Sequence, residues 1–333
     1  MNQDFSIVIC THNPQPEIFR RLLSAISSFD AVHSPSFEVI IVDSNSTHAV
    51  GEMEEVKKLA GSVPSLKILP EKVAGLTNAR KTGIKSAQNE WIVFLDDDNL
   101  PDPGYLQEAS RLIRQYPHTG CWGPGDITVE YTGSAPGKWV QDRKWIFQER
   151  HDPAILTDRS DLWQPCYPYG TGMVVRKDIL QEYIHRLENG RYSLTDRKGK
   201  SLSSGGDTQI ILTGIQMGYA AGVSPSLALR HLIHSDKSNF GYMLRLIYGT
   251  ASCYIPAHNQ VFAENPVKHQ TLRNGIILRR IVGLVKMNAG KIPLKDLLVK
   301  IAQMMGETRA VYDDRKQDLP LTLRWFQSLI KYK

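Results

Sequence analysis

Four continuously apolar runs punctuate the first hundred residues: FSIVIC, FEVIIVD, LKIL and WIVFLD. Segments of helical period lie between them. In PEIFRRLLSAISSF, Ile18, Leu22, Leu23 and Ile26 share one face; Ala49 to Ala60 reads as a helix with a polar side, and GLTNARKTGIKSA as a third. Strands apolar on both faces that alternate with helices specify a parallel sheet covered on both sides. Such a sheet gathers ligands at the carboxyl ends of its strands. Those ends read CTHN, VDSNS and LDDDN. Polar residues therefore concentrate where the architecture puts a site.

Beyond Pro103 the alternation loosens. Tyr105 to Tyr116 is predicted helical and GCWGPGDITVEY a strand region with turns, while Gly133 to Gln164 reads as a long irregular insertion. YGTGMVVRKDILQEYI reads as strand then helix, GGDTQIILTGIQMGY as a helix with Ile210, Ile211 and Ile215 inward, and LALRHLIH as a last strand. From Tyr242 the chain is helical and basic: that region carries 15 Lys/Arg against 6 Asp/Glu, a net +9, within a chain of net +6. Three parts are expected: residues 1–110 and 111–240 as the halves of one α/β domain, and 241–333 as a helical region. The basic tail suits either an anionic membrane surface or a cap with a solvated side. It has no aromatic-basic motif of a nucleic-acid binder.

The four cysteines form no CxxC pair, and the amino terminus lacks the basic flank and apolar core of a secretory signal. No segment nears the roughly 20 apolar residues of a membrane span. These features predict a cytoplasmic protein, with peripheral contact to the inner membrane face as the one qualification.

WIVFLDDDN poses the chemical question. Three adjacent carboxylates raise one another's pKa unless something positive sits among them. In extended geometry Asp96 and Asp98 point to the same side, offering oxygens to Mg²⁺ or Mn²⁺, which bridge carboxylates and substrate phosphates. The bland alternative is a solvated acidic turn whose Asp98 or Asn99 caps the next helix.

SIVICTHN, VIIVDSNST, GLTNARKTGI, WIVFLDDDN, YGTGMVVRKD and GGDTQIILTGIQMGY occur in the order of family 2 glycosyltransferases, and residues 5–235 resemble that family. The resemblance implies a GT-A fold: a Rossmann-like mixed sheet, mostly parallel, flanked by helices. It implies an inverting transfer from a nucleotide-diphosphate sugar to a hydroxyl of a glycan or lipid-linked acceptor. By position, Thr11, Asn13, Asp43, Arg80, Asp96 and Asp97 would contact the nucleotide sugar. Asp98 would hold the divalent cation, and His231, better placed than His234, would complete its shell. Lys237 could clamp phosphate, though a surface lysine is the ordinary reading. Asp207 falls at the family's general base, usually a Glu-Asp pair; Gly206 replaces the first member and leaves one carboxylate. Gly170, Thr171 and Gly172 would let backbone approach the donor sugar. Trp163 and Tyr169 could stack on a sugar ring, but core packing or a loop anchor is the ordinary reading for both.

The chemistry behind this assignment is general. A departing diphosphate needs its charge stabilised, and an attacking hydroxyl needs a base. Two rivals are a haloacid-dehalogenase-like phosphatase with Asp96 as nucleophile, disfavoured by Leu100, and a non-catalytic sugar-nucleotide binder. A dinucleotide-binding dehydrogenase is excluded, because no G-x-G-x-x-G follows the first strand.

Overall fold

The computed structural model describes residues 4–29, 35–63, 65–194, 196 and 202–332. In chain order the elements are β1 (Phe5–Thr11), α1 (Pro16–Ser27), β2 (Phe37–Asp43), α2 (Glu54–Ala60), β3 (Leu66–Pro70), α3 (Leu76–Ser86), β4 (Trp91–Asp96), β5 (Asn99–Pro101), α4 (Tyr105–Gln115) and β6 (Thr119–Thr132). They continue with α5 (Lys138–Gln141), β7 (Arg150–His151), β8 (Leu156–Asp158), β9 (Val174–Arg176), α6 (Lys177–Glu188), α7 (Gly206–Gln216) and β10 (Ala220–His234). Five helices close the chain: α8 (Phe240–Ala251), α9 (Tyr254–Val261), α10 (Asn274–Asn288), α11 (Leu294–Asp314) and α12 (Leu321–Leu329).

One sheet runs β3-β2-β1-β4-β9-β6-β10-β5, with β7 on β6 and β8 on β10. The long strands pair in parallel: β1 with β2 and β4, β2 with β3, and β6 with β10. The short strands β5, β7, β8 and β9 pair antiparallel. This is the mixed α/β fold expected from the sequence. Side chains alternate across it with period two. Phe5, Ile7, Ile9, Val39, Ile41, Val93 and Leu95 pack under α1, α2 and α4. Val8, Ile40, Val42, Ile92 and Phe94 pack under α3, α6 and α7. Both faces are covered, which is why these strands read as unbroken apolar runs. Each such side chain, fully removed from water, contributes about 1.5–3 kcal/mol. Gly83 lets α3 approach closely: a Cβ there would stand 2.5 Å from Val8 Cγ1. The closing helices have their own core around Tyr248, Met305, Leu323 and Phe326.

Several local expectations change. Ala49 to Ala60 is not one helix: a 3₁₀ turn at Val50–Glu52 is separated from α2 by extended Met53. The GCWGPGDITVEY region is a single 14-residue strand. The last strand begins at Ala220 and bends at an irregularity between Ser224 and Ala228. The 133–164 insertion holds α5, a 3₁₀ turn, β7 and β8, and the two strands hydrogen-bond to the main sheet. Asp96 and Asp98 do not share one extended strand, because β4 stops at Asp96 and Asp97–Asp98 turn the chain into β5.

Candidate active site

Strand register aligns the polar ends. Thr11 lies opposite Asp43 across β1–β2, and Cys10 opposite Asp96 across β1–β4. The turn after β4 then sends its carboxylates in different directions. Thr11 Oγ1 donates to Asp97 Oδ2 at 2.5 Å. Burial and the adjacent Asp98 push Asp97 up to about 6. Asp98 turns the other way: Lys237 Nζ donates to its Oδ2 at 3.0 Å, and His231 Nε2 stands 3.4 Å from its Oδ1. Burial opposes the ionised form of Asp98, but Lys237 and His231 outweigh it and hold the carboxyl well below the usual carboxylate range.

His231 is set by its other nitrogen. Nδ1–H donates to the Phe147 carbonyl at 2.9 Å, which fixes the ring and turns Nε2 toward Asp98. Were a divalent cation bound at this corner, the Asp98 carboxylate and His231 Nε2 are the groups that would hold it, and it would supply Lewis-acid chemistry. Among the described residues no three His, Cys, Asp or Glu side chains form a cluster able to hold a metal unaided. His234 instead pairs with Asp236 at the surface.

Asp43 and Asn13 organise loops. Asp43 Oδ1 accepts from the Ser46 N–H at 3.0 Å and Oδ2 from the Val50 N–H at 2.9 Å, so this aspartate bonds its own turn. Asn13, with φ at 49°, donates its N–H to Ser46 Oγ and accepts from the Thr47 N–H at Oδ1. The loops after β1 and β2 are knitted together at the open strand ends.

Arg80 is held by carboxylates; its side chain is 3% exposed and lies over the Phe94 ring. Nη1 contacts Asp207 Oδ1 at 2.5 Å and Asp196 Oδ2 at 3.1 Å. Burial disfavours its charge, yet Asp207, Asp196 and Asp96 keep its pKa above the ordinary arginine value. Arg80 therefore fixes the Asp207 and Asp196 carboxylates relative to each other.

Asp196 escaped the sequence reading. Its Oδ1 accepts from the Gly205 and Gly206 N–H groups at 2.7 and 2.8 Å, meeting the positive amino end of α7. A Cβ on Gly206 would fall 2.2 Å from Asp196 Oδ2. The space left by the missing side chain at Gly206 is thus filled by a carboxylate from elsewhere in the chain. Asp207 is not a lone acid but half of a pair that shares Arg80. On its other side, Gly170 has no side chain because a Cβ would stand 2.1 Å from Asp207 Oδ2. Of the two aromatics, Trp163 packs edge-on against Tyr167, while Tyr169 lies under Arg150.

A cavity of about 890 Å³ opens beside Asp98 and His231. Asp98, His231 on β10 and Lys237 just after β10 line it on one side, and Leu246, Ile247 and Met304 from α8 and α11 on the other. Ser204 also lines it and lies 3.4 Å, Oγ to Oδ2, from Asp207. Trp145, 58% exposed, is a further lining residue that the irregular insertion concealed in the sequence.

Known proteins resemble this chain in sequence and in fold. The description "Glycosyl transferase family 2" matches residues 6–184, over half of the chain; Asp207 and His231 lie beyond that stretch. An uncharacterized glycosyltransferase of Haemophilus influenzae is 29% identical over 113 residues, 34% of this chain and 35% of that protein. The uncharacterized glycosyltransferase YwdF of Bacillus subtilis is 33% identical over 108 residues, 32% of this chain and 37% of that protein. The chain thus matches little more than a third of the length of either relative. The mannosyltransferase PcManGT of Pyrobaculum calidifontis, solved with GDP-Man and Mn²⁺, superimposes with a TM-score of 0.52 at 17% identity, covering 100% of this chain and 85% of that one. At that identity the likeness is one of fold, the GT-A fold expected from the sequence.

Proposed function

The chain belongs to glycosyl transferase family 2 and is a glycosyltransferase, and from that premise we propose an inverting transfer with Asp207 as general base and Asp98 at a divalent cation. The donor is a nucleotide-diphosphate sugar, lying across the strand ends at Thr11, Asn13, Asp43, Asp96 and Asp97. Residues 1–110 hold this donor, residues 111–240 supply the base, and residues 241–333 complete the acceptor side. The fold likeness to a protein solved with GDP-Man and Mn²⁺ is consistent with this donor class and with Mn²⁺ or Mg²⁺.

The observation that carries the reading is the cavity. Asp98 and His231 line it, and so does Ser204, whose Oγ lies 3.4 Å from Asp207 Oδ2; this supports a diphosphate and a base acting on one space. The acceptor hydroxyl attacks the anomeric carbon as the bond to the diphosphate oxygen breaks, and its proton passes to an Asp207 oxygen. Arg80 and Asp196 hold Asp207 in place, and Gly170 leaves room beside it. Lys237, reaching Asp98 from beyond β10, carries positive charge where phosphate oxygens would arrive. A cation held by Asp98 and His231 supplies Lewis-acid stabilisation of the departing diphosphate. The acceptor is a hydroxyl of a glycan or lipid-linked molecule entering between the sheet and α8–α11. We place the protein in the cytoplasm; among the described residues no helix is long and apolar enough to cross a membrane.

A thermal-shift panel of nucleoside diphosphates with and without Mn²⁺ tests the site. One nucleotide should raise Tm more with metal than without, and Asp98→Ala should remove the metal-dependent part. An unchanged shift in Asp98→Ala would move the cation away from this corner. Hydrolysis of phosphate monoesters without any nucleotide-dependent shift would favour the phosphatase alternative.

A further inference from the structure

The helices α10 and α12 carry more apolar surface than their packing uses. Ile277 on α10 and Leu323, Phe326 and Ile330 beside or on α12 face the helical core. A second set faces outward: Leu278 is 52% exposed, Val282 50%, Val285 40%, Trp325 69% and Leu329 61%. On α10, positions 274, 278, 282 and 285 form one helical stripe; on α12, positions 322, 325 and 329 form another. Asn274 Oδ1 accepts from both the backbone N–H and the hydroxyl of Thr322, at 3.1 and 2.9 Å. That contact sets the two stripes along one seam, so the exposed side chains make a patch rather than a scatter.

The patch is also basic. Residues 271–295 contain Arg273, Arg279, Arg280, Lys286, Lys291 and Lys295 and no Asp or Glu, and all six are exposed. Arg324 on α12 adds a seventh exposed cation. A second copy of the chain docking here by the same surface would bring like charges together. An apolar face ringed by arginine and lysine instead matches acyl chains beneath anionic headgroups.

We propose that α10 and α12 lie in the plane of an anionic phospholipid bilayer. Leu278, Val282, Val285, Trp325 and Leu329 enter the acyl boundary, while Arg279 and Lys286 extend to the phosphates. Arg280, on the same helix, lines the cavity that contains Asp98 and His231. A bilayer-anchored acceptor therefore reaches that cavity along α10, an extension that rests on the transferase reading above. The lipid contact itself does not rest on it.

The test is co-sedimentation of the full chain with vesicles of phosphatidylglycerol and phosphatidylcholine, and with phosphatidylcholine alone, at low and high salt. The chain should bind the mixed vesicles, bind phosphatidylcholine weakly, and be partly released by salt. Trp325→Ser with Leu329→Ser, and separately Arg279→Glu with Lys286→Glu, should each lower partitioning roughly tenfold. Tm and the nucleotide-induced shift should stay as in the wild type. Failure of the wild type to bind mixed vesicles would overturn the proposal, as would binding as tight as the wild type's by both variants. So would a solution dimer that the Trp325 and Leu329 substitutions dissolve. Vesicle binding without any nucleotide-dependent shift would leave this proposal standing and remove the transferase reading alone.

Discussion

Asp207→Asn is expected to lower kcat by about 10²- to 10⁴-fold, the range for loss of a general base, while nucleoside diphosphate affinity stays unchanged. The substitution keeps the side chain's shape against Gly170 and removes its ability to take a proton together with its charge opposite Arg80. The fold should survive because Arg80 keeps Asp196 as a partner, 3.1 Å away and bonded to two backbone N–H groups of its own. Steady-state assays of nucleoside diphosphate release, paired with titration calorimetry of the nucleotide, separate the two effects. Activity within about tenfold of wild type would remove Asp207 from the base role. A parallel loss of nucleotide affinity would make it a binding residue instead.

Arg80→Met is expected to destabilise the protein by about 3–5 kcal/mol, the usual cost of stripping one partner from a buried ion pair. Methionine approximates the aliphatic volume over Phe94 but leaves Asp196, 1% exposed, and Asp207 facing each other without a countercharge. Denaturant unfolding measures the loss, seen as a lower midpoint with an unchanged slope. The double variant Arg80→Met/Asp196→Asn should recover part of it, because one of the two orphaned charges is then gone. A loss below about 1 kcal/mol would mean that the cluster behaves like a solvated surface pair. Transfer activity should fall in Arg80→Met, since Asp207 loses the group that fixes its orientation.

The sheet was legible because burial on both faces leaves an unambiguous trace. The runs FSIVIC, FEVIIVD and WIVFLD became β1, β2 and β4 with ends where the polar residues begin. Short elements left no such trace. β5 is only Asn99–Pro101, and its register comes from pairing with Leu229–His231 on β10, a contact invisible in local sequence. That pairing carries His231 to Asp98. The same limit hid β7 and β8.

The Arg80 outcome had a signal in the sequence. Arg80, Gly83 and Ile84 sit at i, i+3 and i+4 on α3, all on the buried side, so an arginine on that stripe points inward. The turn role of Asp43 was likewise present in DSNS, a pattern in which aspartate bonds its own backbone. Asp196 offered less. It lies in the polar stretch RYSLTDRKGK, ten residues before Gly206, and nothing in its spacing marks it. The one hint is the glycine pair 205–206 ahead of Asp207, which leaves an opening at a helix start that only the folded chain fills.

The most direct measurement is anomalous diffraction at the manganese edge from crystals grown with Mn²⁺ and the nucleoside diphosphate selected by thermal shift. The account predicts one peak bonded to Asp98 and His231 Nε2 and to the diphosphate oxygens, with Lys237 swung from Asp98 toward phosphate. A diphosphate bound with no manganese at Asp98, or manganese seated elsewhere, would contradict it.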